Sequence, residues 1–202
     1  MAAPARRVPP VPPHPHHSAA RQPMSAMPQR SIVDRMRGAA MLDVATYEEV
    51  EADRSATGQA FVVVVIVAIC MGIGRIGDGS HGVIGGIIGA IIGWLVWSGV
   101  TMLVGTKLFG GTADWGELLR TVGFAQSPGV LGVLGIIPLL GGLVLFVVAI
   151  WQLVTGFIAI RQALDISSGK ALATALISWI AMMIVMALIF IPLGVGAGLF
   201  GR

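Results

Sequence analysis

The chain has 202 residues, of which 55% are hydrophobic and 11% charged, with 28 glycines and a mean hydropathy of +0.87. Soluble domains carry about 25% charged residues, so the composition excludes a soluble enzyme domain, a collagen-like fibre and a disulfide scaffold; the single cysteine, Cys70, has no partner for an internal disulfide. The net charge of +3 is not a nucleic-acid signal: seven of the 13 basic residues lie at or before Arg54, six acids partly offset them there, and no Lys/Arg-rich face is left for a phosphate backbone.

Residues 1–30 are Pro-rich, basic and poor in large apolar side chains, which predicts a disordered tail. They hold no apolar run of signal-peptide length. His14, His16 and His17 lie in this Pro-broken stretch without fixed geometry, so no metal site is expected from them. In residues 31–54, Ile32, Val33, Met36, Ala40, Val44 and Tyr47 recur at helical spacing, and Thr46-Tyr47-Glu48-Glu49 fits a capping box that would start a helix at Thr46. This amphipathic juxtamembrane segment either lies on a membrane or partner, or is a solvated lead-in. Five acids in its second half favour the lead-in there.

Residues 55–202 read as a membrane domain. A span needs roughly 20 mostly apolar residues, and five such stretches are predicted, near 57–75, 82–106, 117–137, 140–161 and 171–193. Thr121–Ile160 is uncharged over 40 residues, about 60 Å as a helix, so it must fold back, and Pro138-Leu-Leu-Gly141-Gly142 marks the turn. Pro128 is expected to break the third span, and Pro192 to bend or end the fifth. Backbone groups in lipid must be paired internally, so each span is read as a helix. The fold class expected is therefore all-α, a polytopic membrane protein of five helices behind a disordered tail and a short amphipathic helix. Arg35, Arg37, Arg54, Lys107, Arg120, Arg161 and Lys170 would share one side, against Arg75 and Arg202 on the other. That bias predicts a cytoplasmic N-terminus and a C-terminus across the membrane.

Gly72-Ile-Gly74-Arg-Ile-Gly77 spells the dinucleotide fingerprint out of context, because another apolar run follows and no acid occurs between Asp78 and Asp114. On the second span, Gly85, Gly89 and Gly93 form one small-residue file, and Gly82, Gly86 and Ala90 another. Spacing of four lets a second helix approach closely, either inside the bundle, the preferred reading, or in an oligomer. Asp114-Trp115-Gly116-Glu117-Leu-Leu-Arg120 places Glu117 and Arg120 at i,i+3, as a surface ion pair or as part of a headgroup or substrate site. Gln126, Ser127, Gln152, Thr155 and Ser178 are the main polar side chains within the spans. Glu117, Arg120, Gln126 and Gln152 form the candidate polar cluster, arranged around the break at Pro128. His81 stands alone beside Asp78, the spans hold no Asp at depth, and HExxH and GxSxG are missing. No catalytic set, metal site or cofactor is therefore expected.

Several segments resemble the YIP family of small multispanning membrane domains. They are Thr46-Tyr-Glu-Glu-Val50, Gly105-Thr-Lys-Leu-Phe-Gly-Gly111, Glu117-Leu-Leu-Arg120, Gly123-Phe-Ala-Gln-Ser-Pro128, Pro138, Trp151, Gly156-Phe-Ile-Ala-Ile-Arg161-Gln-Ala-Leu164 and Ser168-Gly-Lys-Ala-Leu172. The likeness runs from about Thr46 to Pro192. It implies five spans with a cytoplasmic N-terminus. Eukaryotic members, named for binding Ypt/Rab GTPases, act in traffic between endoplasmic reticulum and Golgi. Their Asp-Leu-Tyr-Gly-Pro segment is missing here, so Rab binding is not carried over. The sequence is more similar to the prokaryotic branch, which implies a cytoplasmic (inner) membrane. The expectation is a non-enzymatic membrane organiser or adaptor that contacts lipids and binds a membrane-protein partner or a second copy of itself, without nucleic acid. The alternative is a small-solute or ion transporter with its site around Pro128.

Overall fold

The computed structural model describes residues 30–76 and 83–200, with side-chain surroundings given except at 83, 186 and 189–200. The tail, His81, Gly82 and Arg202 lie outside the described residues. The elements in chain order are α1 (Ile32–Ala40), α2 (Val44–Ala52), α3 (Ala56–Gly74), α4 (Val83–Phe109), α5 (Trp115–Ala125), a 3₁₀ segment (Ser127–Ile136), α6 (Gly141–Ala163) and α7 (Ser168–Phe200). There is no strand among the described residues, and the protein is all-α.

α1 and α2 form a hairpin. Ser31 caps α1 by accepting from the Asp34 N–H at 3.2 Å, and the chain leaves α1 through Leu42 at φ 63°, with the Leu42 and Asp43 N–H groups donating to the Ala39 and Gly38 carbonyls at 3.1 and 3.0 Å. This is the double bond of a Schellman stop. It delivers Asp43 to the cap position of α2, where its carboxylate accepts from the Ala45 N–H at 3.3 Å. The expected start at Thr46 is therefore corrected to Val44. The Thr46 hydroxyl donates to the Asp43 carboxylate at 2.6 Å instead of capping a helix of its own.

α3 carries the run Phe61-Val-Val-Val-Val-Ile-Val67, which by side-chain preference suits a strand. It is helical, as a segment that must pair its own backbone in lipid has to be. Ala56, Ala60, Val63, Val64 and Val67 face inward, and Phe61, Val62 and Ile66 outward.

Among the described residues, four helices are long and apolar enough to cross a membrane, over Ala56–Gly74, Ile84–Phe109, Gly141–Ala163 and Ser168–Val185, so the expected count of five spanning helices is corrected. The third stretch is not one helix. α5 stops at Ala125, and the chain continues as the 3₁₀ segment, because Pro128 can neither donate to the α-helical ladder nor leave room for it. This broken stretch still runs beside α3 and in the same direction. Gly123 lies against Ala60, Gly129 against Val67, Gly132 against Met71, and Gly135 against Gly74. A 3₁₀ helix has three residues per turn, so Gly129, Gly132 and Gly135 stack on one face. That face is the one α3 covers, and a Cβ at Gly74 would collide with the Gly132 carbonyl. α7 continues past Pro192 to Phe200 and is not ended there.

On α4, Ala90 of the second file packs against the core, whereas the described glycines of both files face open space. A Cβ placed at Gly85, Gly86, Gly89 or Gly93 would meet nothing. The core forms elsewhere, around Val63, Val64, Leu118, Phe124, Ile160 and Leu164. Trp94 joins it from α4, its indole N–H donating to the Leu119 carbonyl at 3.0 Å.

Candidate functional site

Two polar regions emerge, and the four residues of the candidate cluster divide between them. The first is the break after α5. A proline at 128 leaves the Phe124 carbonyl without its usual donor, and the Ser127 hydroxyl donates to it at 2.5 Å. The next two carbonyls are met from α6: the Thr155 hydroxyl donates to Ala125 at 2.7 Å, and the Gln152 amide to Gln126 at 3.2 Å. Gln126 and Gln152 are thus brought together, through the backbone of one and the side chain of the other. The described cavity nearby, about 240 Å³ between the 3₁₀ segment and α6, is lined by Leu131, Leu134, Leu143, Val144, Val147, Val148 and Trp151, all apolar apart from an indole N–H already bonded elsewhere.

The second region lies where the α1–α2 hairpin meets the bundle, and it holds Glu117 and Arg120. These two do not form the expected ion pair. The Asp114 carboxylate accepts from the Glu117 N–H at 2.8 Å, and the Glu117 carboxylate accepts from the Asp114 N–H at 2.7 Å, a reciprocal capping box at the start of α5. Arg120, 5% exposed, points the other way and donates to the carbonyls of Val50 and Glu51, both bonds from Nε being 3.0 Å. Its second contact on Glu51, through a terminal guanidinium nitrogen, closes the same fork. Helix ends leave four carbonyls unpaired, and α2 has no basic residue in its last turn. Arg120 supplies the missing donors, and a positive charge at the negative end of the helix dipole, from a helix 70 residues away in sequence.

Arg35 performs the matching task for α1. It is 1% exposed and reaches Glu49 at 3.0 Å, Asp53 at 2.8 Å and Gln59 at 3.0 Å, so that one guanidinium ties α1 to α2 and to the first turn of α3. Tyr47, fully buried, donates to the Ala39 carbonyl at 2.9 Å, and the Trp151 indole donates to the Ala40 carbonyl at 2.7 Å. The hairpin is therefore held on α5 and α6 by bonds to its backbone, while the ion pairs of Arg35 with Glu49 and Asp53 stay within it.

The electrostatics follow from this packing. Burial, reinforced by the carboxylates of Asp165, Glu117 and Glu48 and only partly opposed by Arg120, pushes Glu51 up to about 7. Hydrogen bonds hold two others below the usual carboxylate range: Asp43 through Thr46 first and Arg30 next, and Asp53 through the Ser55 hydroxyl first and then Arg35. No group of three or more His, Cys, Asp or Glu is placed to hold a metal ion among the described residues.

A family model for the Yip1 domain matches residues 43–189, well over half of the chain. The chain belongs to the Yip1 domain family. Neither the curated proteins nor the solved structures contain a match. The matched Yip1 domain begins at Asp43, the cap of α2, so α2 and its clamp Arg120 fall within it while α1 and Arg35 precede it. In this Yip1-domain protein the burial of the Arg35 and Arg120 guanidiniums is the feature that the sequence does not disclose. The sequence marks Arg35 only by its side of the membrane and Arg120 also as a member of the polar cluster, although Arg35 lies on the apolar period of Ile32, Met36 and Ala39. The Ser127-Pro128 pair was a usable sign of the carbonyl repair at the break. Gly85, Gly86, Gly89 and Gly93 lie on α4, apart from both polar regions.

Proposed function

We propose that this integral membrane protein of the Yip1 family is a non-enzymatic membrane organiser or adaptor that presents the α1–α2 hairpin to protein or lipid partners at the cytoplasmic face of a prokaryotic inner membrane. The observation that carries this reading is the pair of buried arginines. Arg35 and Arg120 hold a short hairpin rigidly on the bundle while Asp34, Arg37, Glu48 and Arg54 stay exposed on it. A preorganised surface binds without first being ordered. The hairpin and the 55–202 membrane domain then form one unit, behind the 1–30 tail. The polar groups at Pro128 are engaged with backbone carbonyls and the adjacent cavity is apolar, which favours the organiser over a transporter.

The chain path supports the orientation. A C-terminus opposite a cytoplasmic N-terminus is part of this proposal, and the parallel run of the broken stretch beside α3 is what supports it. The open glycine face of α4 suits a helix of another membrane protein or of a second copy. Proximity labelling and co-purification from native membranes test the reading. The expected result is a reproducible set of neighbours that is lost in Arg35→Met while membrane insertion persists. An absence of reproducible neighbours would overturn it. In proteoliposomes, small-solute flux is expected at background for the wild type and for Glu117→Ala alike.

A further inference from the structure

We propose that the turn of the α1–α2 hairpin is a membrane-inserting tip, with Met41, Leu42 and Val44 seated in the acyl-chain boundary of the leaflet on the hairpin's side. Three independent observations meet there. The first is exposure: Met41 is 67% exposed, and Val33, Leu42 and Val44 are exposed as well, so four large apolar side chains crowd one short turn and the face leading to it. Val33 and Arg37 on α1 and Met41 at its C-cap follow one another at i, i+4 and i+8. An arginine in that file can lay its aliphatic stem along the apolar face and carry its guanidinium up to the headgroups.

The second observation is the backbone. Leu42 occupies the left-handed region at φ 63°, the stop position that glycine usually fills. A leucine is strained there by roughly 1–2 kcal/mol. The two hydrogen bonds of the stop hold it there, while its side chain, 38% exposed, is left only partly covered by the hairpin. A leucine in an aqueous turn would be a double liability; in hydrocarbon its transfer is favourable.

The third is depth. The Ala40 carbonyl, at the tip, is bonded to the Trp151 indole. Trp151 lies 12 residues before the end of α6 at Ala163, about 18 Å of helix, and its neighbours Val147, Ile150, Leu153 and Val154 form the exposed apolar wall of α6. The tip is continuous with a surface that must itself face lipid. The one acid at the tip, Asp43, is met in place by Arg30 at 3.4 Å and by the Thr46 hydroxyl.

The partner is therefore a lipid leaflet and not a protein groove, and this holds whatever else the hairpin binds. The test uses the full chain in phosphatidylcholine/phosphatidylglycerol vesicles. In a Cys70→Ser background, Met41→Cys, Leu42→Cys, Val44→Cys and Glu48→Cys are spin-labelled one at a time. All four positions are exposed, so the labels leave the core intact. At 41, 42 and 44, relaxation by dissolved oxygen should exceed relaxation by a water-soluble nickel chelate several-fold, with the order reversed at 48. Nickel access at the tip equal to that at 48 would overturn the proposal, and so would a tip closed to both relaxants, the mark of a protein contact. Loss of partners in the labelling experiment leaves this depth reading untouched, so the two proposals fail separately.

Discussion

Thr155 and Thr101 are both fully buried, yet they differ in what removing a hydroxyl would do. Thr155 donates to the Ala125 carbonyl beside the break, so Thr155→Val leaves that carbonyl unpaired and is expected to lower stability by about 1–3 kcal/mol. The hydroxyls of Ser98, Thr101, Thr174 and Ser178, on α4 and α7, are buried without a partner. Thr101→Val and Thr174→Val keep the shape and remove an unmet polar group, so they are expected to be neutral or stabilising. Thermal unfolding in detergent compares the three variants directly. Arg120→Met is the corresponding change at the hairpin. It frees the last carbonyls of α2 and should raise the hydrogen-exchange rates of residues 44–52 by one to two orders of magnitude, for a loss of roughly 1.5–3 kcal/mol, while α3 and α6 stay protected. Uniform exchange throughout the bundle would contradict a local clamp.

Among the elements, the transmembrane helices were legible because their signal is additive. Every residue of an apolar run contributes, and α3, α4 and α6 are each a long apolar run. The broken stretch was half legible. Pro128 announced the break, and Gly129-Val-Leu-Gly132-Val-Leu-Gly135 spells a period of three that belongs to a 3₁₀ helix, not to the four-residue files of α4. What could not be read was partnership. Arg120 and Glu117 are correctly spaced for each other, and only the return of α2 in three dimensions decides that Arg120 has better acceptors elsewhere. The same holds for glycine. Gly74 and Gly89 look alike in sequence, yet one abuts a backbone and the other open space. Gly74→Ala is expected to cost about 1–3 kcal/mol by overpacking. Gly89→Ala should gain up to about 1 kcal/mol in the purified monomer from helix propensity alone. Equal effects on denaturation midpoints would refute the distinction.

For the whole molecule, the hairpin's attachment should depend on pH with a definite sign. Glu51 has its folded value raised from an ordinary 4.5 to about 7. Its contribution is therefore complete below pH 4.5 and is lost as pH rises through about 7. Asp43 and Asp53, lowered from 3.8, act oppositely: their contribution is present above that value and is lost as pH falls through their folded values. The hairpin should be held most firmly at mildly acidic pH, between these limits, and should loosen toward pH 8. Limited proteolysis at the exposed Arg37 and Arg54 follows this, with Glu51→Gln removing the alkaline arm of the profile. A wild-type profile that stays flat from pH 5 to 8 would mean that Glu51 is solvated and does not feel Asp165, Glu117 and Glu48.

The 3₁₀ segment also solves a problem of length. Beside α3, the stretch from Ala60 to Gly74 advances 14 residues, about 21 Å at the α-helical rise. Its neighbour goes from Gly123 to Gly135 in 12 residues, which as pure α-helix would cover only about 18 Å. Stretched to the 3₁₀ rise of about 2.0 Å from Ser127 onward, the same 12 residues reach about 22 Å and keep pace. Rewinding the segment to an α-helix would pull its far end inward by about 4 Å and rotate the glycine face off α3. The Yip1 domain thus holds one strut cut short and drawn taut, whose pitch and reach cannot change separately.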